Sequence, residues 1–103
     1  MARKVTQDAV NAFIAGRTGR FGSNTTVELS PLGEVIVLKL HGNAIARRDK
    51  GPMGTFEVCD GGWSSNTTKE RLNGLPGVRV NQKNYAWFLN GEPWDGAWRT
   101  INP

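Results

Sequence analysis

Short strand-like segments separated by turn residues limit the folds that this chain can adopt. Residues 24–30 alternate between two kinds of position, with Val27 and Leu29 on one face, which is the period of a half-buried strand. A turn over residues 30–33 follows, and the apolar run 34–40 returns, so the two runs are expected to pair as a hairpin. The sequence therefore predicts an antiparallel sheet built from consecutive strands, a meander.

The rest of the chain repeats this pattern of short runs and turns. Residues 41–43 break the second strand, and strand-like runs follow at residues 44–47, 53–59, 78–82 and 85–89. Lys83-Asn84 is read as a tight connection, and Asn90-Gly91 is the strongest two-residue turn signal in the chain. Pro93 restricts the last segment to an edge or irregular strand.

Two short helices complete the predicted fold. The first is expected to begin at Thr6 as N-cap, to bury a face containing Val10 and Phe13, and to end at Gly16. The second is expected to begin at Thr67 in a capping box and to end at Gly74 in the left-handed conformation. The predicted fold is α+β: an N-terminal helix, an antiparallel β-meander sheet and a short second helix, in a single compact domain over residues 1–103.

Four tryptophans are many for a chain of this size. Trp87 and at least one of Trp94 and Trp98 are expected in the core or at a subunit interface, because one buried indole contributes several kcal/mol, on the order of 25 cal/mol per Å². Trp63 stands between Gly-Gly and Ser-Ser. It is therefore the tryptophan least committed to the core.

Composition favours a binding protein. Thirteen Lys and Arg against nine Asp and Glu give a formal charge of +4, which suits an anionic partner. The single cysteine, Cys59, excludes a disulfide within the chain and suggests a reducing compartment, and His41 lacks partners for a metal site. No membrane-spanning run, cofactor motif or catalytic constellation is visible, so we expect neither an enzyme nor a membrane protein.

The stretch 61–74 combines groups that suit a nucleotide. Trp63 offers a face for base stacking, the helix start favours an anion, and Thr67 and Thr68 supply hydroxyls. Arg71 and Asn73 add a cationic fork and an amide. The plainer alternative is a core tryptophan followed by a capped surface helix.

Arg17 and Arg20 lie in a glycine-rich basic loop after the first helix and can reach an anion. The alternative for these two arginines is a solvated connector with cations near a helix C-terminus.

Several motifs resemble one phage family. The segments Leu40–Asn43, Gly-Trp-Ser-Ser-Asn-Thr-Thr-Lys-Glu-Arg-Leu-Asn, Gln-Lys-Asn-Tyr-Ala-Trp-Phe-Leu-Asn-Gly and Trp-Asp-Gly-Ala-Trp are similar to those of the phage Thoeris anti-defence sponge proteins. The resemblance runs over nearly the whole chain, although this chain is shorter than other members.

The resemblance implies a function. Members bind cyclic ADP-ribose isomers made by bacterial TIR-domain enzymes, some also hold cyclic oligonucleotides at separate sites, and they do not cleave these ligands. It places the adenine-stacking aromatic on Trp63, the asparagine ligand on Asn73, and an arginine on Arg17 or Arg20. It also implies a dimer or higher oligomer acting in the cytoplasm of the infected bacterial host.

Two alternatives from other classes remain at this point. One is a small single-stranded nucleic-acid binder that uses exposed tryptophans and the basic loops at residues 17–20 and 47–50. The other is a protein inhibitor of a host enzyme, with the Trp-rich C-terminal segment as its hot spot.

Overall fold

The computed structural model describes residues 3–51, 54–62 and 65–102. Within these ranges the chain forms two helices and nine strands. In chain order they are α1 (Lys4–Ala15), β1 (Gly19–Phe21), β2 (Thr25–Leu29), β3 (Val35–Leu40), β4 (Asn43–Asp49), β5 (Phe56–Val58), α2 (Asn66–Asn73), β6 (Val80–Lys83), β7 (Ala86–Leu89), β8 (Glu92–Pro93) and β9 (Arg99–Ile101).

The strands form two antiparallel sheets. The larger has six strands in the order β1-β2-β3-β4-β5-β9, and the smaller has three in the order β6-β7-β8. The first five strands follow one another as a meander, so the predicted α+β fold is confirmed. The last strand, β9, returns to the far edge of the larger sheet, where Ile101 pairs with Phe56.

The core lies between α1 and one face of the larger sheet. Phe13 is fully buried, and its ring meets the ring of Phe56 edge-to-face, with centroids 6.0 Å apart. Ile36 and Leu38 of β3 are buried on the same side. Because strand side chains alternate, the opposite face of the sheet carries ion pairs, among them Arg47 with Glu57 at 2.8 Å.

The first helix begins earlier than the sequence predicts. It starts at Lys4, with Arg3 at the N-cap position and no side-chain cap, so the prediction of Thr6 as N-cap is wrong. Thr6 is buried, and its hydroxyl donates to Glu70 at 2.6 Å and accepts from Arg71 at 2.8 Å. The Thr6 hydroxyl is therefore hydrogen-bonded to residues of α2 and does not cap α1. The predicted end at Gly16 is confirmed, with φ of 77°.

The second helix also starts before its predicted cap. Ser65 is the N-cap and accepts from the Thr68 N–H at 3.1 Å, so the prediction of Thr67 as N-cap is wrong. Several neighbouring residues can cap a helix, and burial of Thr68 and Leu72 selects the register that places Ser65 at the start.

Gly74 ends α2 in the right-handed region, with φ of −77°, so the predicted left-handed cap is wrong. A Cβ atom at residue 74 would lie 2.6 Å from Thr6 Cγ2. Glycine is therefore needed here because α2 ends close against α1.

Local details of the strands differ from the predictions. The basic loop that contains Arg20 includes an edge strand, β1. Of the run predicted at residues 53–59, residue 53 lies outside the described residues, and within residues 54–59 the strand is limited to β5. The turn predicted at Lys83-Asn84 occupies Asn84-Tyr85, whereas the turn at Asn90-Gly91 is confirmed, with φ of 52° and 84°.

The tryptophans largely follow expectation. Trp94 is 6% exposed and its indole N–H donates to the Ala97 carbonyl at 2.8 Å. Trp87 is partly buried against the core, and Trp98 lies under the Arg47 guanidinium at 3.9 Å. Trp63 lies outside the described residues. Neither α1 nor α2 has the length and apolarity that a bilayer-spanning helix needs.

Candidate functional site

A cavity of about 450 Å³ opens beside the start of α2. Three segments enclose it: the β3–β4 turn region, the loop after β5, and the first turn of α2. Its described lining consists of Leu40, His41, Asn43, Ile45, Asp60, Gly61, Ser65, Thr67 and Thr68. The volume falls in the range of small-molecule sites, about 300–1,000 Å³.

The start of α2 gives the cavity a polar wall. The Ser65 and Thr68 hydroxyl oxygens lie 3.0 Å apart, and the Thr68 N–H donates to Ser65. The first N–H groups of a helix have no acceptor within it. Together with the helix dipole they favour a negatively charged group at this wall.

The loop after β5 places a carboxylate at the cavity. Asp60 Oδ1 accepts from the Gly62 N–H at 2.7 Å, and the Asp60 N–H donates to the Gly96 carbonyl at 3.0 Å. A Cβ at residue 96 would fall on the Asp60 carboxylate, so Gly96 permits this close approach. A carboxylate repels phosphate but accepts from the hydroxyls of a sugar.

The β3–β4 turn supplies the apolar floor. Leu40 and Ile45 are buried, whereas His41 is exposed and holds a left-handed φ of 51°. The His41 N–H donates to the Asn24 carbonyl at 2.6 Å, which fixes the turn against β2. The cavity therefore joins an apolar surface to polar groups, as ligands with a flat ring and a sugar require.

Of the site residues predicted from the sequence, Thr67 and Thr68 line this cavity. Trp63, the predicted stacking residue, lies outside the described residues. It stands in the sequence between Gly61 and Ser65, which are both lining residues.

Arg71 faces the opposite way, into the contact between α2 and α1. It is 3% exposed and donates to the hydroxyls of Thr25 and Thr6, at 3.0 and 2.8 Å. It also pairs with the Glu70 carboxylate and approaches Asn24. These contacts assign Arg71 a structural role in joining α2 to α1 and β2, and its contact with a ligand stays a prediction.

Asn73 connects α2 to the smaller sheet. Its side-chain amide donates to the Val80 carbonyl at 2.9 Å, and its carbonyl oxygen accepts from the Val80 N–H at 2.6 Å. It lines a separate surface hollow with Arg79 and Asn90, away from the described lining of the cavity. Its ligand role also stays a prediction.

Arg17 and Arg20 are exposed on the segment after α1. Arg20 donates to the Ser23 carbonyl at 3.4 Å. Neither arginine belongs to the described lining of the cavity in its own chain. Within that lining there is no Lys or Arg at all.

The sequence did not predict the residues of the β3–β4 turn that form the cavity floor, or the carboxylate beside it. The unpredicted residues include Leu40, His41, Ile45 and Asp60. The sequence pattern at residues 41–43 indicates a break between strands, and the resemblance assigns no ligand contact to this segment. The signal that would have found them is the pairing of β3 with β4 through Leu40 and Asn43, which brings that turn to the end of the sheet where α2 begins.

Cys59 precedes the lining residue Asp60, and its thiol is poorly activated as a nucleophile. Its thiol donates to the Ala44 carbonyl at 3.1 Å, and burial raises the pKa of the Cys59 thiol despite the opposing Gly61 N–H. Among the described residues no cluster of three His, Cys, Asp or Glu side chains suits a metal ion. The described lining presents hydroxyl, amide, imidazole and carboxylate groups, which can donate and accept hydrogen bonds.

Comparison with known proteins identifies a family. The family model described as Kyanoviridae Gp96 protein matches residues 2–101, nearly the entire chain. No curated protein and no solved structure gives a significant match.

Proposed function

The chain belongs to the Kyanoviridae Gp96 family, a family of phage proteins, and from this premise we propose that it binds and sequesters a cyclic nucleotide signal without cleaving it. The phage origin expected from the sequence is confirmed. The anti-defence role, with a cyclic ADP-ribose isomer as the ligand, is the part that we propose.

The cavity at the start of α2 carries the proposal. An ADP-ribose-like ligand presents a base, ribose hydroxyls and a pyrophosphate. The apolar floor at Leu40 and Ile45 suits the base, the Asp60 carboxylate suits ribose hydroxyls, and the helix start at Ser65–Thr68 suits a phosphate. We propose that Trp63 stacks on the base, a contact worth about 1–3 kcal/mol.

The charge of the lining supports a dimer. A pyrophosphate carries two negative charges in neutral solution, and the described lining contains Asp60 but no Lys or Arg. Arg17 and Arg20 are exposed and lie outside that lining in their own chain. We therefore propose that a second copy of the chain brings Arg17 or Arg20 to the ligand, which places the ligand between two subunits in the host cytoplasm.

Calorimetry with cyclic ADP-ribose isomers tests the proposal. Thr67→Val removes a hydroxyl from the cavity wall and keeps the shape of the side chain, so we expect it to weaken binding about 5- to 10-fold, the value of one hydrogen bond. Thr100→Val is the matched control, because Thr100 is exposed on β9, outside the described lining. Trp63→Ala is expected to abolish binding.

The fate of the ligand separates sequestration from catalysis. After denaturing the complex, chromatography is expected to return the cyclic nucleotide intact. Recovery of a linear product would show cleavage, and failure of every isomer to bind at millimolar concentration would exclude the proposal.

A further inference from the structure

The hairpin formed by β6 and β7 ends in an unusual turn. Asn84 and Tyr85 both have positive φ, 51° and 68°, a geometry in which Asn-Gly is strongly preferred. The next turn of the same sheet has similar angles and uses Asn90-Gly91. The first turn therefore places a tyrosine where the fold favours glycine.

That tyrosine is almost completely exposed. Tyr85 is 97% exposed, so its ring adds almost no packing within the described part of this chain. The residue thus opposes the local backbone preference and adds almost no packing in return. Its presence at the tip is explained if the ring contacts a partner.

A shallow aromatic hollow lies behind the tip. Tyr85, Trp87 and Trp94 line it together with Arg99 and Asp95, over about 570 Å³. The indole of Trp94 is fixed by its hydrogen bond to the Ala97 carbonyl. Trp94 is buried and forms the fixed base of the hollow. The rings with accessible surface are those of Tyr85, which is exposed, and Trp87, which is half-buried, and such rings beside an open hollow are suited to stacking on bases.

Three cations lie on elements next to this hollow. Arg99 of β9 lines the hollow, and the Lys69 ammonium of α2 lies 5.8 Å from the centre of the Trp87 ring. Lys83 is exposed next to the turn, where its backbone pairs with the lining residue Ala86. Such a combination of aromatic surface and dispersed positive charge matches a flexible chain of bases and phosphates.

We propose that the tip of the β6–β7 hairpin and the hollow behind it bind single-stranded nucleic acid. Tyr85 stacks on one base, a second base enters the hollow beside Trp87, and Lys83, Lys69 and Arg99 contact phosphates. The hollow shares no described lining residue with the cavity at α2. This inference is therefore independent of the proposed nucleotide sequestration.

Fluorescence anisotropy of a labelled oligothymidylate tests the inference with two variants at one position. Tyr85→Gly suits the backbone better, so it is expected to raise the melting temperature by a few degrees while weakening oligonucleotide binding about 10- to 100-fold. Tyr85→Phe keeps the ring and is expected to bind like the wild type. Wild-type affinity for Tyr85→Gly would overturn the proposal, and its gain in stability excludes misfolding as the reason for a loss.

Salt dependence provides the second readout. Affinity is expected to fall steeply as salt increases, and Lys83→Gln is expected to reduce that slope by about one released counterion. Absence of oligonucleotide binding at low salt, or binding that does not respond to salt, would overturn the proposal. Capture of a host protein through Tyr85 without oligonucleotide binding would overturn it as well.

Discussion

At the scale of single residues, Arg48 is the clearest stabilising group. It is 5% exposed and donates to the Phe13 and Ile14 carbonyls at the end of α1, at 2.9 and 2.7 Å. It also donates to the carbonyls of Asp49 and Gly51. We predict that Arg48→Met lowers the free energy of unfolding by about 2–4 kcal/mol, because four buried or partly buried hydrogen bonds are lost and the helix dipole loses its cation. Urea denaturation measures this loss.

Arg47 is the matched control for that prediction. It is the preceding residue of β4 but lies on the opposite face, half-exposed, where it pairs with Glu57 and stacks on Trp98. Arg47→Met is expected to cost no more than about 1 kcal/mol, since exposed ion pairs contribute little. Equal losses for the two variants would contradict the role assigned to Arg48.

The raised pKa of Cys59 predicts a pH dependence. Burial raises the pKa of the thiol in the folded chain, so the unfolded chain releases its proton first, from about pH 8.5 upward. Above that pH the unfolded state binds fewer protons, and stability falls as pH rises until the folded thiol also ionises. Denaturation of the wild type between neutral and alkaline pH measures the slope. Cys59→Ala is expected to remove the thiol's contribution to this pH dependence. An unchanged slope in the variant would show that other groups cause it.

At the scale of elements, Asn73 joins α2 to the smaller sheet through its two hydrogen bonds to Val80. We predict that Asn73→Ala lowers the free energy of unfolding by about 1–2 kcal/mol and speeds hydrogen exchange at the Val80 N–H. Asn81→Ala, at an exposed neighbouring position of β6, is the control and is expected to leave both unchanged. A ligand role alone would instead abolish nucleotide binding and leave the melting temperature unchanged.

The elements that the sequence predicts well are those decided by neighbouring residues. Hairpins followed from alternation and turn residues, and Asn90-Gly91 forms the turn that its residue types favour. The caps were placed wrongly because Ser65, Thr67 and Thr6 are all capable of capping. Packing between α1 and α2 decided which hydroxyl remained available, and no local pattern contains that information.

The candidate site likewise combines residues that local sequence predicts with residues that only the tertiary structure brings together. Thr67 and Thr68 were predicted from the start of α2, and both line the cavity. Leu40, Ile45 and Asp60 were not predicted, because they reach the site only through the β3–β4 register and the fit of Asp60 against Gly96. Arg71 was predicted as a ligand-binding residue from its residue type alone. Residue type does not show whether a guanidinium group is exposed or, as for Arg71, buried.

At the scale of the whole molecule, the chain has the dimensions of one compact domain. Its radius of gyration is 12.7 Å, close to the value of about 13 Å for a compact chain of this length. The cavity at α2 is enclosed by segments that are distant in sequence, near residues 40–45, 60–61 and 65–68. A ligand that contacts all three binds only the folded state, so its binding free energy adds to global stability.

This coupling predicts a large thermal shift. At a ligand concentration about 100 times the Kd, stability increases by about 2.7 kcal/mol, which raises the melting temperature of such a domain by about 10–20 °C. Thr67→Val is expected to show a smaller shift at the same concentration, whereas Thr100→Val is expected to match the wild type. Hydrogen exchange distinguishes the site from other surfaces. The ligand is expected to slow exchange more at amides near residues 40–45 and 65–68 than at amides of the β6–β7 hairpin. A shift accompanied by protection at the hairpin alone would place the ligand away from the cavity.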